Sequence, residues 1–213
     1  DDTYDLGCPT FNDSPRDGSD VLIVRHAEPW QANVEPLADD GRLQVQTTLA
    51  QGRLFNDGIE PLGTDASTHN VTVNAYYVSN ESSFDPSLPS LRRLTLGPNE
   101  EFDDQEVIPG VENLQVQLGV DTDRDGDVDR YVDGNHPLVD PDAAGFDPDG
   151  QVIAVRIWLL VATPADDRAW VDERSYPTPD ADLGDLVAGS DDYPSAFRRL
   201  QISKTIFLNN EGA

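Results

Sequence analysis

The sequence runs to 213 residues, enough for one domain with a real core or for two small ones. It carries 41 acidic residues against 14 basic ones, a net charge of −27 at pH 7. Such a surface repels a phosphate backbone or an anionic lipid, so nucleic acid is excluded as a partner.

Lys204 is the sole lysine, the other bases being arginines. Acid in such excess, with so little lysine, suits a protein kept soluble in high salt, where a Debye length of about 3 Å at 1 M screens self-repulsion. A halophilic or marine source is expected; the plain alternative is an acidic extracellular protein. Cys8 is the one cysteine, so no disulfide forms within these residues. The absence of an initial Met, a signal peptide or a long apolar run reads as a processed or truncated product.

In chain order, residues 1–19 are rich in Asp, Gly, Pro and Ser and read as an irregular lead-in. Residues 20–25 (DVLIVR) are almost wholly apolar, as in a buried strand. Residues 42–49 alternate, with Leu43, Val45, Thr47 and Leu49 on one side, and predict a half-buried strand. Residues 52–63 are turn-rich. The β-branched and aromatic run 71–78 (VTVNAYYV) predicts another strand, and 91–96 a shorter one. Over 107–120, Leu114, Val116, Leu118 and Val120 alternate against Asn113, Gln115, Gln117 and Gly119. Residues 131–150 are dominated by Asp, Pro and Gly, which argues against a regular element.

The most apolar segment is 151–163, where Ile153, Val155, Ile157, Leu159 and Val161 share one parity. It holds Arg156 and is too short to cross a bilayer, so a central strand is expected. A polar, Pro-rich excursion (164–195) precedes a last strand over 198–209, with Leu200, Ile202, Ile206 and Leu208 on one face. The nearest approaches to helix are single turns over 50–55 and 195–200. The fold class predicted is mainly β, with antiparallel sheets and long irregular loops. No internal repeat and no linker stands out, so residues 1–213 read as one globular domain.

Residues 121–131 (DTDRDGDVDRY) stand apart. Asp121, Asp123, Asp125, Asp127 and Asp129 recur at alternate positions around Gly126. Carboxylates so spaced on a tight loop can converge on a hard divalent cation, and glycine at the sixth position permits the sharp turn. An EF-hand would need a bidentate Glu at position twelve, where Val132 stands, and the flanks read as strands. The spacing predicts a structural calcium loop between strands. Asp121, Asp123, Asp125 and Asp129 would ligate through side chains and Asp127 through its carbonyl. The alternative is a solvated acidic turn, but an Asp-rich background explains neither the glycine nor the spacing.

Other constellations point less far. VRHAEP at 24–29 resembles the phosphate-binding motif of histidine phosphatases, in which Arg25 would hold phosphate and His26 would be phosphorylated. That chemistry needs a second histidine and further bases, and neither His69 nor His136 follows a buried strand as that family requires. Asp140, Asp142, Asp147 and Asp149 could form a second cation site, although such runs are more often solvated loops. Tyr76, Tyr77, Trp158 and Phe207 lie in strands and are expected in the core, whereas Trp30 and Trp170 lie in loops.

Six stretches, in order, resemble the periplasmic domain of PilW-family minor pilins of type IV pili. They are GCP at 7–9, GSDVLIVRHAE at 18–28, PSLRRLTL at 89–96, VIPGVENLQVQLGVDTDRDGDVDRYV at 107–132, VIAVRIWLLVAT at 152–163 and FRRLQISKTIFLNN at 197–210. The resemblance implies a non-catalytic, β-rich pilin head like that of the type II secretion pseudopilin J, α+β once its hydrophobic N-terminal helix is added. It implies partners among other minor pilins and the major pilin, and no small-molecule substrate. It places the protein in the periplasm or an extracellular pilus, anchored in the inner membrane through that helix before assembly. The acidic stretches around 133–150 and 165–195 depart from the family. A free-standing secreted calcium-binding β-module, such as an adhesin, is the rival reading, and a phosphatase the third.

Overall fold

The computed structural model describes residues 15–28, 40–63, 65–167 and 169–208; Cys8 and Trp30 lie outside them. Twelve strands form among these: β1 (Leu22–Ala27), β2 (Asp40–Thr47), β3 (Gly52–Asp57), β4 (Ser67–Ser79), β5 (Ser90–Leu96), β6 (Phe102–Pro109), β7 (Val111–Asp121), β8 (Arg130–Val132), β9 (Gln151–Ala162), β10 (Ser175–Tyr176), β11 (Leu186–Val187) and β12 (Arg199–Phe207). Every pairing is antiparallel. Among the described residues the only helical element is a 3-10 turn at Pro98–Glu100. The mainly β, antiparallel expectation holds.

The strands form a six-stranded sheet, β3-β2-β4-β5-β6 with β1 also on β4, and a four-stranded sheet, β12-β9-β7-β8. A small β10–β11 pair makes a third. The 13-residue β4 serves three partners: Ser67–Asn70 pair with β2, Val71–Tyr76 with β1, and Asn74–Ser79 with β5. Its β-branched and aromatic residues suit such a shared, pleated position. Between the two large sheets, Val78 and Leu91 pack against Val111 and Leu114, with Tyr76, Val116, Ile157, Leu159 and Val161 around them. This cluster is the hydrophobic contact that joins the sheets.

Gly110 is where the chain passes from one sheet to the other. Its N–H donates to the Pro89 carbonyl at 2.7 Å beside the six-stranded sheet, and its carbonyl accepts from the Ala162 N–H at 2.7 Å in the four-stranded one. The backbone there is left-handed, with φ +84°, and a Cβ would sit 2.6 Å from the Ala162 carbonyl oxygen. Both facts demand glycine. The run over 107–120 that reads as one alternating segment is therefore two strands in different sheets.

A second junction is polar. Asp20 N–H donates to the Leu114 carbonyl at 2.8 Å, and the Asp20 carboxylate accepts the Val116 N–H at 2.8 Å. Asn113 and Gln115 both donate to the Gly18 carbonyl, at 2.8 and 2.9 Å. These two side chains, on the polar side of the alternation, are buried and donate to a neighbouring backbone carbonyl. Burial holds the Asp20 carboxyl above its ordinary range, opposed by the Val116 hydrogen bond.

The excursion over 164–195 is no free loop. Tyr176, Leu186, Ala188 and Tyr193 close over Leu160 of β9, with Leu183 alongside. Beneath them Arg199, whose side chain is fully buried, makes two hydrogen bonds to Glu112, at 2.6 and 2.9 Å, and lies 3.6 Å from Asp172. Asp172 in turn accepts from Arg174 at 2.8 Å and from the Tyr176 hydroxyl at 2.6 Å. This network ties the excursion to β7 and β12.

Several expectations are corrected. Residues 52–57, read as turn-rich and as a candidate helical turn, form β3, which pairs with β2 from Gln44↔Phe55 to Thr47↔Gly52. Phe55 is buried while Leu54 points outward. Residues 195–200 are not helical; Arg199 and Leu200 begin β12. β1 is more exposed than its apolar sequence implies, with Val24 39% exposed. Tyr77 is core, but Phe207 is 67% exposed because β12 is an edge strand. The Asp-rich region after residue 130 does contain a strand, the short β8.

Two outcomes test this arrangement. Gly110→Ala should lose more than about 2 kcal/mol of stability, from the left-handed backbone and the carbonyl clash together. A denaturant midpoint equal to the parent's would refute the role given to this residue. The Arg174 hydrogen bond holds the Asp172 carboxyl well below the usual carboxylate range. A depressed folded-state pKa contributes stability that is complete above the unfolded value, about 4, and is lost as pH falls through the folded one. Asp172→Asn should therefore be less stable near neutrality and show a shallower acid limb of stability against pH.

Candidate metal centre

The acidic loop closes a β-hairpin. β7 pairs with β8 through Leu118↔Val132, Gly119↔Tyr131 and Val120↔Arg130, and Asp129 N–H donates to the Val120 carbonyl at 3.0 Å. Val132, at the position where an EF-hand carries its Glu, is a buried sheet residue. Strands, as expected, flank the loop.

Asp121 organises the loop. It is 2% exposed, and its carboxylate accepts three backbone N–H groups. Oδ1 takes Asp123 at 3.2 Å and Arg124 at 2.6 Å, and Oδ2 takes Gly126 at 2.8 Å. Gly126 sits at φ +90°, with open space where a Cβ would be, so its requirement is conformational rather than steric. Arg124 is also left-handed, at φ 64°. At the far end, Asp129 accepts the Thr122 N–H at 2.7 Å and the Thr122 hydroxyl at 2.6 Å.

These turns bring Asp121, Asp123 and Asp129 together, each offering an oxygen within 4.8 Å of the others. Asp121 is buried and the other two are exposed. Three carboxylate oxygens at this separation fit a hard, oxygen-preferring cation, with open positions toward solvent. Asp125 and Asp127 are not in this group. Asp125 instead accepts the Asp127 N–H at 2.9 Å.

The electrostatics are uneven. The charge of Asp125 is the main cause that pushes the Asp123 carboxyl above its ordinary range, opposed by the Asp125 N–H bond. Asp129 is held below it by the two Thr122 hydrogen bonds. One acid of the group therefore resists ionisation, and a cation would relieve that.

The loop is coupled to its surroundings. The Arg124 guanidinium lies 3.6 Å from Asp149. Tyr131, two residues past Asp129, carries the Arg156 guanidinium 3.4 Å from its ring centre, and Arg156 also faces Trp158 at 5.6 Å. Arg156 Nε donates to the Thr205 hydroxyl at 3.2 Å, so the stack connects the hairpin to β9 and β12.

Elsewhere the sequence expectations find less. Asp140 and Asp147 cap the Asp142 and Asp149 N–H groups in local turns, and no second group of converging ligands forms among the described residues. Arg25 and His26 are consecutive on an exposed antiparallel strand, so their side chains point to opposite faces and cannot share one phosphate. The buried Glu112–Arg199–Asp172 network was not legible in sequence, since its members lie far apart in the chain and nothing in their local context marks them.

The model of the family described as type IV pilus-assembly protein W matches residues 75–210, nearly two-thirds of the chain. The chain belongs to the PilW family. The match starts within β4 and runs past the end of β12, so it includes the hairpin loop, Gly110 and both acidic excursions, while β1 to β3 precede it. A type IV-like pilin from Thermus thermophilus is similar over 80% of this chain and 86% of its own, at 18% identity and a TM-score of 0.32. No curated protein matches. Membership of a pilus-assembly family makes this a pilus-related chain.

The hairpin loop can be probed without any ion. Asp121→Ala leaves three loop N–H groups without their carboxylate and should cost about 1–3 kcal/mol. Carboxyl NMR titration should find Asp123 titrating at higher pH than Asp129, with Asp125→Asn moving Asp123 back down. Because the folded pKa of Asp123 is raised, its contribution has the opposite sign to that of Asp172. Ionising it on the way to neutral pH lowers stability.

Proposed function

We propose that this chain is the head of a non-catalytic minor pilin that takes part in priming or capping a type IV pilus, with a structural calcium ion in the 121–129 loop. Residues 1–213 act as one domain in this reading. The observation that carries it is the state of the four-stranded sheet's apolar face. Ile153, Val155, Ile157, Leu159 and Val161 of the central strand β9 are only half-buried, although the last three border the inter-sheet cluster. Beside them Leu200, Ile202 and Ile206 are 63%, 44% and 46% exposed. An exposed apolar patch of this kind, with Lys204 set within it opposite Ile157, marks a binding surface. An apolar helix borne by the same polypeptide fits it, and such a helix would anchor the subunit in the inner membrane before assembly. The periplasm or the pilus is then its location, and other minor pilins and the major pilin are its partners.

Calcium fits the loop by the chemistry of its donors. Asp121, Asp123 and Asp129 would supply carboxylate oxygens, while Asp125 and the carbonyl of Asp127 are the further ligands the spacing suggests. The ion would clamp the end of β7 to the start of β8 and neutralise a loop whose acids repel. Extracellular sites work at millimolar affinity, so a weak site would suffice.

Deleting the gene in the source organism should abolish or reduce piliation, and a copy with intact Asp121 and Asp125 should restore it. Normal piliation in the deletion strain would refute the assembly role. For the ion, calcium should raise the melting temperature of chelator-stripped protein, since a ligand that binds only the folded state stabilises it by mass action. The rise should vanish in Asp121→Ala/Asp125→Ala. A melting curve indifferent to millimolar calcium would refute the calcium site while leaving the pilin reading intact.

A further inference from the structure

We propose that Tyr131 and Arg156 are positioning residues for the 121–129 loop: their stack fastens β8 to the sheet and so decides whether Asp129 stays beside Asp121 and Asp123. The proposal deepens the calcium reading above and rests on it for the ion, though not for the closure of the loop.

The two ends of the loop are held very differently. Asp121 ends the 11-residue strand β7, whose register on β9 runs as far as Asp121↔Gln151. Asp129 has no such base. It precedes β8, which has 3 residues and meets β7 through Leu118↔Val132, Gly119↔Tyr131 and Val120↔Arg130. A strand that short has little stability of its own. Within it Val132 is buried and Arg130 exposed, which leaves Tyr131 as the further anchor. The ion pair of Arg124 with Asp149 adds little, because its side chains are 68% and 77% exposed.

The anchor depends on small residues beside it. Tyr131 faces Gly119 across the ladder. A Cβ on Gly119 would sit 2.9 Å from the Ala154 Cβ, 3.0 Å from Tyr131 Cε1 and 3.2 Å from Val128 Cγ1. With glycine on β7 and alanine opposite it on β9, the Tyr131 ring can cross β7, and the partly buried Val128 packs at the same place. Arg156 is two residues along from Ala154 and therefore on the same face. Its guanidinium lies 3.4 Å from the ring centre, and the Nε bond to the Thr205 hydroxyl, at 3.2 Å, fixes its plane. In a chain with 41 acids, Arg156 makes no ion pair among the described residues. The aromatic ring is its partner instead, and a partly desolvated contact of this kind is stronger than an exposed one.

The consequence reaches the loop through β8. If β8 peels away, the Asp129 N–H leaves the Val120 carbonyl and the Asp129 carboxylate leaves Thr122. Asp121 and Asp123 then lack the third oxygen of the group. The apparent affinity of a site is its intrinsic affinity reduced by the fraction of molecules in the competent state. The strength of the stack is therefore readable in ion binding.

The test joins calcium titration calorimetry to amide exchange by NMR in chelator, both on the 213-residue protein. Tyr131→Leu and Arg156→Met should speed exchange of the Thr122, Arg124 and Gly126 amides and leave those of β4 and β5 unchanged. They should weaken calcium binding about three- to thirty-fold, the range expected of a cation–aromatic contact. Tyr131→Phe keeps the ring face and should match the parent in both measurements. Thr205→Val frees the guanidinium without touching the stacked pair, and should shift both readouts the same way by less. Parent-like exchange and affinity in both Tyr131→Leu and Arg156→Met would overturn the proposal. Faster exchange spread through β4 and β5 would mean a general loss of stability and would overturn it equally. A parent that binds no calcium would refute the ion reading alone, and the exchange in chelator would then decide this proposal by itself.

Discussion

The passage of the chain through Gly110 is the constraint on which the rest depends. One residue donates to a carbonyl beside the six-stranded sheet and accepts from an amide of the four-stranded sheet. It does so in a left-handed conformation with a carbonyl too near for any Cβ. Everything after it follows from the position it sets. Val111 and Leu114 reach Val78 and Leu91 across the sheet interface. Glu112, on the other side of the strand, meets Arg199. Farther along the same strand, Asp121 arrives at the end of a ladder rigid enough to hold its carboxylate against three loop amides. A hairpin loop with converging acids needs such a base, since isolated acids would only repel.

The polar interior does a different kind of work. Burying Glu112, Asp172 and Arg199 is costly unless each is paired and hydrogen-bonded, and a buried ion pair is weak evidence for stability. Its value here is in fixing where the 164–195 excursion sits. The pairs of Arg199 with Glu112 and Asp172 lie beneath the cluster of Leu160, Tyr176, Leu186, Ala188 and Tyr193 and link it to β7 and β12. The excursion thereby becomes a cover for one face of β9, while on the opposite face Ile157, Leu159 and Val161 border the inter-sheet cluster and remain half-buried. The two faces of β9 are thus covered differently, one by the chain's own excursion and the other in part by the six-stranded sheet.

Legibility followed how local each cause was. β4, β5, β9 and β12 were readable because alternation and β-branched residues act over a few neighbours. β3 was missed because its glycine and polar residues read as turn, and only pairing with β2 makes GRLFND a strand. β6 was hidden because its acids break the apolar pattern; Asp104 is tolerated there by Arg92, 12 residues earlier, at 2.6 Å. Phe207 was expected in the core since aromatic residues in strands usually are, but a strand at a sheet edge has no neighbour to cover it.

The sequence by itself determined the mainly β class, the family resemblance and the acidic hairpin loop, because composition, period-two alternation and fixed spacing within a dozen residues are properties of the chain alone. Only the tertiary structure decided which of the five aspartates converge. Asp121, Asp123 and Asp129 meet because the β7–β8 register and two left-handed turns aim them, and spacing cannot specify register. It also decided that a run of residues around Gly110 belongs to two sheets and that distant charges meet beneath the excursion. Those outcomes depend on contacts between segments many residues apart, which no local pattern encodes.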